Sequence, residues 1–541
     1  MPARPNILVI MTDEERYPPC YETEEVRRFR RAELPGQQAL RARGVEFHRH
    51  YAASTACAPS RTCLFTGHYP TLHGVRATDG AAKAAHDPDM FWLDPSTVPT
   101  MGHYFRAAGY RTFYRGKWHI SHADLTTPDT RASIAASDDQ GAVIEPNTSL
   151  YRAADRLDAH GFSGWIGPDP HGAARSNCGL LRDPLFGDQV DALFDQLDNS
   201  RDESPWLAVA SFVNPHDIVL FGALWLAWGH AFDDDTVPEI PEAPTQRESL
   251  RGKPGCQADF VAKYGKVFLP QPQLPVYRRF YYYLHKLADQ QVQRVLRRLQ
   301  ASRFFDNTII VYTSDHGDML GAHGGMHQKW HNAYDECIRV PLLISGPGIP
   351  AGAGVEQLSS HVDLLPTLLG LADLDAAALS GALASRHTEA QPLVGRDLTK
   401  LARGGQASDE PIYFMTEDEV SEGLDQTTVL GRSYEAVAEP AKVEAVLARL
   451  DAGDGPRPWK YTRAYRRSLI GDPAEVSRWS QLASTLERDE CELYDLDADP
   501  LEAHNLAQRG LGDGRSRAAE ATMEALLSEQ RTRKALHPKL R

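Results

Sequence analysis

The sequence predicts an α/β fold: a large, mixed but mostly parallel, doubly wound sheet sandwiched by helices, followed by a smaller C-terminal α+β domain. Three observations predict it. Short β-rich apolar runs are bounded by turn signals, helical periodicity fills the stretches between them, and strand-rich, charged sequence follows beyond about residue 400. At 541 residues, 42% of them hydrophobic, the chain can bury one large core or two.

The expected strands are NILVIMT (6–12), YRTFYRG (110–116), WLAVASFVNP (206–215), NTIIVYTSD (307–315) and VPLLISGPG (340–348). Most are apolar almost throughout, as strands buried on both faces must be. A further strand, GVEFHRHYA, precedes Cys57. Helices are expected in TVPTMGHYFRAAG and in YYYLHKLADQQVQRVLRRLQ, where Leu284, Leu287, Val292, Val295 and Leu299 recur near helical spacing. Residues 120–205 and 218–275 are richer in Gly, Pro, Asp and His, and read as insertions into a catalytic domain spanning 1–400. The C-terminal domain, 401–541, carries the strand candidates EPIYFMTED and KYTRAYR, then ECELYDLDADPLEAHNLA and a charged helix.

Composition narrows the function. The net charge is −15 with the acidic residues dispersed, so there is no basic footprint for nucleic acid or an anionic membrane. The longest later apolar run, IVLFGALWLAWG from Ile218, falls short of the roughly 20 residues that span a bilayer. The N-terminal apolar run is too short for a signal-peptide core and leads straight into acidic residues. Seven scattered cysteines are not a disulfide framework and fit a reducing compartment, so the expected location is the cytoplasm. Phe221, Trp225, Trp228 and Phe232 fit core packing, a homo-oligomer interface or a pocket for an aromatic leaving group.

In an open α/β sheet, ligands bind beyond the carboxyl ends of the strands. Four expected strands deliver chemistry to that edge: Asp13 and Glu14 after the first, Lys117 and His119 after the second, His216 after the third, Asp315 and His316 after the fourth. Turns collect Asp and His for local reasons, so one such residue means little. Their convergence means more. Asp13, Asp315 and His316, with Glu14, make a mostly oxygen donor set suited to calcium above all, or to manganese or magnesium. His323, His327 and His331 form a rival set spaced by four, but Gly324 and Gly325 interrupt the helix it needs. Cys57 stands at the start of a helix-forming run, where free backbone N–H groups favour an anion. Its spacing from Cys63 matches no redox or zinc pattern, and on composition both read as small core residues.

The run CAPSRTCLFTG from Cys57 to Gly67 resembles the sulfatase signature CxPSR followed by a leucine and Thr-Gly. PNILVIMTD, GKWH, NPHD, TSDHGDMLGAHG and ELYDLDADPLEAHNL are similar, in order, to further motifs of that family. The resemblance implies an alkaline-phosphatase-like fold and an arylsulfatase-type sulfuric ester hydrolase acting on a small sulfate monoester. It implies that a maturation enzyme oxidises Cys57 to Cα-formylglycine, and that one divalent ion is held by Asp13, residue 57, Asp315 and His316, with Glu14 where many sulfatases have a second aspartate. Arg61 would steady the aldehyde hydrate, Lys117 and Lys329 would grip sulfate oxygens, His216 would protonate the leaving alcohol and His119 would take the proton that lets sulfate depart. The related phosphonate monoester hydrolases share the Asp-His pair but lack the Lys-x-His loop, so GKWH favours sulfate. A binding protein with unconverted Cys57 would need neither a proton donor nor an acceptor.

Overall fold

The computed structural model describes residues 4–539 apart from 173, 223–231, 233, 269–274, 429, 454, 472–489 and 509. The main sheet has seven strands: β1 (Asn6–Asp13), β2 (Gly44–Phe47), β4 (Arg111–Gly116), β5 (Trp206–Pro215), β6 (Thr308–Ser314), β7 (Leu342–Ser345) and β8 (Ala353–Val355). They run in the order β4-β5-β1-β6-β7-β2-β8. The first four are parallel, β7 is antiparallel to both β6 and β2, and β2 is parallel to β8. The sheet is therefore mixed and mostly parallel, and all five strands read from apolar runs lie in it.

Every residue of β1 is buried. Ile7, Val9 and Met11 join a cluster with Leu64, Phe65, Tyr104 and Phe105 on one face, while Leu8 and Ile10 join Val190, Phe194, Val292 and Val295 on the other. Helices on both faces explain why the strand shows no polar alternation. The helix Pro275–Gln300 covers the second face, as its periodicity predicts. Beside it lies the helix Gly179–Asp198, inside the span read as an insertion, yet its Val190, Leu193 and Phe194 pack on β5 residues of the core.

The run GVEFHRHYA does not form one strand. It breaks after Phe47, and β3 (His50–Tyr51) pairs with β9 (Ser359–Ser360) in a separate two-stranded sheet. The cause is tertiary: His48 and Arg49 spend their backbone groups on Val355 and Ser359 of the following segment.

The C-terminal unit is a four-stranded antiparallel meander, β10 (Ile412–Thr416), β11 (Lys442–Asp451), β12 (Pro456–Tyr465) and β13 (Glu490–Asp495), covered by the helix Gly514–Lys534. Strand β11 has no counterpart among the sequence expectations. Its Val443, Ala445 and Leu447 pack toward the main body while Val446 and Ala448 pack beneath the terminal helix. Burial on both faces removed the alternation that would have marked it. Of the four aromatics after His216, Phe221 and Phe232 are buried against Tyr277 and Phe280 as core. Trp225 and Trp228 lie outside the described residues.

Candidate active site

The carboxyl ends of the adjacent strands β4, β5, β1 and β6 lie side by side, and the residues following them meet there. Asp13 closes β1, Lys117 and His119 follow β4, His216 follows β5, and Asp315 and His316 follow β6. Gly116 turns the chain out of β4 with φ of +100°, and a Cβ there would lie 1.8 Å from the Ser211 carbonyl oxygen. Only glycine permits that approach.

Opposite these ends sits the helix Cys57–Thr66, whose ten residues are all buried and whose first residue is Cys57. One turn on, Arg61 lies on the same face. Its guanidinium donates to Asp315 Oδ2 (2.8 Å), Asp13 Oδ2 (3.0 Å), the Lys117 carbonyl (2.9 Å) and Ser211 Oγ (3.0 Å). One side chain thus ties the helix to β5 and to the ends of β1, β4 and β6. Ser60 Oγ donates to the Asp315 carbonyl at 2.6 Å.

Cys57 Sγ lies 3.1 Å from His316 Nε2 and 3.6 Å from Asp13 Oδ1. Ligand atoms of Asp13, Cys57, Asp315 and His316 all lie within 4.8 Å of one another. His316 Nδ1 donates to the Gly317 carbonyl (2.9 Å), which leaves the Nε2 lone pair facing the cluster. Asp315 Oδ1 accepts from the backbone N–H of Glu14 (3.1 Å) and of His316 (2.9 Å). This donor set fits a divalent cation: fixed carboxylates, an imidazole with its lone pair inward, and a buried pocket. Glu14 stands one step aside, its backbone at φ of +69° and its carboxylate grouped with Asp13 and His216 instead. Both Glu14 carboxylate oxygens are buried without a hydrogen bond, although Lys329 Nζ pairs ionically with Oε2 at 3.1 Å.

Lys117 Nζ lies 2.6 Å from Asp13 Oδ2, and both side chains are fully buried. Burial raises the Asp13 carboxyl, but Lys117, His216, Arg61 and His316 outweigh it and hold it well below the usual carboxylate range. Burial, opposed by Lys329 and reinforced by Asp318, pushes Glu14 well above that range. Burial brings His316 down to about 4 and, with Lys117 beside it, takes His216 well below its ordinary value. Burial and then Asp13 push the Cys57 thiol far up. A thiol in that environment is a poor nucleophile at neutral pH, which argues against cysteine chemistry as such.

His119, at φ of +53°, is held by main chain and side chain together. The Asp169 carboxylate accepts from the backbone N–H of Trp118 and His119, and Asp79 Oδ1 accepts from His119 Nε2 at 2.7 Å. Neither Asp79 nor Asp169 emerged from the sequence reading. The only signal for Asp79 is an Asp-Gly pair 22 residues after Cys57, and for Asp169 there is none, because it lies in an irregular segment. The histidines 323, 327 and 331 do not converge. His323 pairs with Glu248 (2.8 Å), His327 with the Tyr277 hydroxyl and His331 with the Ala441 carbonyl.

The mixed, mostly parallel sheet with a metal-type donor set at its carboxyl edge has the alkaline-phosphatase-like architecture. A family model described as Sulfatase matches residues 5–374. A choline-sulfatase of Rhizobium meliloti is 28% identical over 389 residues, covering 69% of this chain and 68% of its own. Among solved structures, a 2-O GAG sulfatase superposes with a TM-score of 0.63 at 22% identity, covering 98% of this chain and 92% of its own. The phosphonate monoester hydrolase of Agrobacterium radiobacter gives 0.60 at 18%, covering 98% and 96%. The chain belongs to the sulfatase family and is a sulfuric ester hydrolase.

Proposed function

We propose that this sulfatase cleaves a small sulfate monoester, of arylsulfatase type, with Cys57 matured to formylglycine and one divalent ion held by Asp13, residue 57, Asp315 and His316. The observation that carries the reading is the junction of Cys57, at a helix N-terminus, with that donor set and with Lys117 and Lys329. Asp13, Glu14 and Asp315 face Arg61, Lys117 and Lys329, three carboxylates against three cations. A dication added to that balance gives the pocket the positive charge that a sulfate group needs. The ion would polarise sulfate oxygens as a Lewis acid. The hydrated aldehyde would supply the attacking hydroxyl.

The chain's own residues do the remaining work. Lys117 and Lys329, each at most 2% exposed, present ammonium groups from separate loops and stabilise charge that grows on the sulfate oxygens. Arg61 holds Asp13 and Asp315 in place. His216, at the end of β5, hands a proton to the departing oxygen once the anionic sulfate group beside it offsets the burial and the Lys117 charge that keep it neutral in the free site, and His119 takes one in the second half of the cycle. Seven cysteines, an odd number scattered along the chain, fit a reducing, cytoplasmic setting. Among the described residues no helix is long and apolar enough to cross a membrane.

The test has two parts. Peptide mass spectrometry of active protein from the native host should show residue 57 as aldehyde; active enzyme carrying only thiol would overturn the maturation reading. Rates on aryl, choline, sugar and alkyl sulfates beside phosphonate esters should be highest on an aryl sulfate. A phosphonate ester as the best substrate would move the assignment to the monoester hydrolases.

A further inference from the structure

Asp79, His119 and His171 form a second cluster, with His119 buried and the other two half-buried, whose ligand-type atoms lie within 4.8 Å of one another; the catalytic reading uses only His119. His119 Nε2 donates to Asp79 Oδ1 at 2.7 Å. His171 Nε2 lies 2.7 Å from the Asp79 backbone carbonyl, which can only accept, so that nitrogen carries the proton. The same nitrogen lies 3.3 Å from Asp79 Oδ1. The two imidazoles lie with centroids 4.3 Å apart and planes 33° apart, and Trp92 borders His119 at 5.9 Å. At Gly80 a Cβ would come 3.2 Å from His171 Nε2, so a side chain there would crowd the ring.

The protons can be assigned. With Nε2–H spent on Asp79, the Nδ1 atom of His119 carries the lone pair, and it is buried with no hydrogen-bond partner among the described residues. An unpaired buried nitrogen costs stability unless something comes to meet it. Burial, with His171 beside it, brings the His119 ring down to about 3, so it is neutral when substrate arrives.

We propose that Asp79, backed by His171, is the positioning group for His119: it fixes the ring with Nε2 protonated and Nδ1 free, so that Nδ1 is the atom that accepts the proton in the second half of turnover. Without the Asp79 acceptor the ring can flip or change tautomer, and Nδ1–H cannot accept. His171 closes the outer side of Asp79, where that side chain is 13% exposed and water would otherwise compete for Oδ1. The inference rests on the sulfatase reading and on His119 as the base.

The experiment uses the mature, metal-loaded enzyme and an activated aryl sulfate followed by rapid mixing. Asp79→Leu should lower kcat by about tenfold or more. It should also show a burst of phenol stoichiometric with enzyme before a slow steady state, because the organic half leaves before the step that needs His119. Asp79→Asn, whose carbonyl oxygen still accepts from Nε2, should recover most of kcat. In a His119→Ala background, Asp79→Leu should cost nothing further. A purely structural role predicts the opposite: no burst, equal loss in both backgrounds and no recovery by Asn. Any of those three in an active wild type overturns the proposal alone. A wild type that hydrolyses no sulfate ester overturns the sulfatase reading and this inference with it.

Discussion

At the residue scale, the buried site is a set of charges that cannot lose one member quietly. Arg61 and Asp315 are each fully buried and paired with each other. Asp315→Ala leaves Arg61 with one carboxylate fewer and opens a ligand position, so metal content by elemental analysis and kcat should both collapse. Its melting temperature should fall by the equivalent of about 3 kcal/mol or more. His216 and Lys117 are separable by leaving group. His216→Ala should slow esters of poorly acidic alcohols severely and activated phenols much less, whereas Lys117→Ala should cost a similar factor on every ester. Rates plotted against leaving-group acidity check this; equal slopes in wild type and His216→Ala would pass the proton to Lys329. His323 supplies a pH test outside the chemistry. Burial opposes its protonation, but Glu248 and Glu336 outweigh burial and raise its pKa above the ordinary value. A raised folded-state pKa gives stability that is full below the unfolded value near 6.5 and is lost as pH climbs through the folded one. The melting temperature of wild type relative to His323→Gln should therefore shrink from about pH 6 upward, and a constant difference would mean His323 is neutral throughout.

At the scale of elements, the helix Cys57–Thr66 and the loop 315–338 are held from outside the main sheet. Thr416 Oγ1, at the end of β10, donates to the Thr55 carbonyl just before the helix, and Asp418 accepts from Thr78 N–H and Trp330 Nε1. In β12, Lys460 Nζ pairs with Asp335 (2.7 Å) and Glu502 (2.9 Å) and donates to the Ala333 carbonyl, gripping the loop that carries Lys329. Lys460→Met leaves the buried Glu502 without its cation and takes one of two cations from the half-buried Asp335, which keeps Arg339, so it should destabilise by about 3 kcal/mol. It should also speed proteolysis within 318–338, read by mass spectrometry of the fragments. An unchanged cleavage rate there would show that the loop holds itself.

At the scale of the whole molecule, those contacts make the C-terminal sheet a wall of the active site. A chain ended after residue 405 exposes the face made by Tyr51, Met319, Trp330 and Ile338, so it should be insoluble or inactive, checked by soluble yield and turnover. What the sequence by itself determined was the part written in continuous apolar runs and their polar endings. Five strands of the main sheet, their endings at Asp13, Lys117, His216 and Asp315, and the helix at Cys57 follow from local patterning, because each polar residue directly follows the apolar run that marks its strand. The split of GVEFHRHYA, strand β11, Asp79, Asp169 and His171 did not. Backbone pairing to distant segments divided the first, two-sided burial masked the second, and the last three lie in irregular segments where no period exists. Only the tertiary structure decided that Glu14 turns toward Lys329 and His216 rather than joining Asp315 and His316. Side-chain direction at a strand end depends on which charges stand across the cleft, and those come from parts of the chain hundreds of residues away.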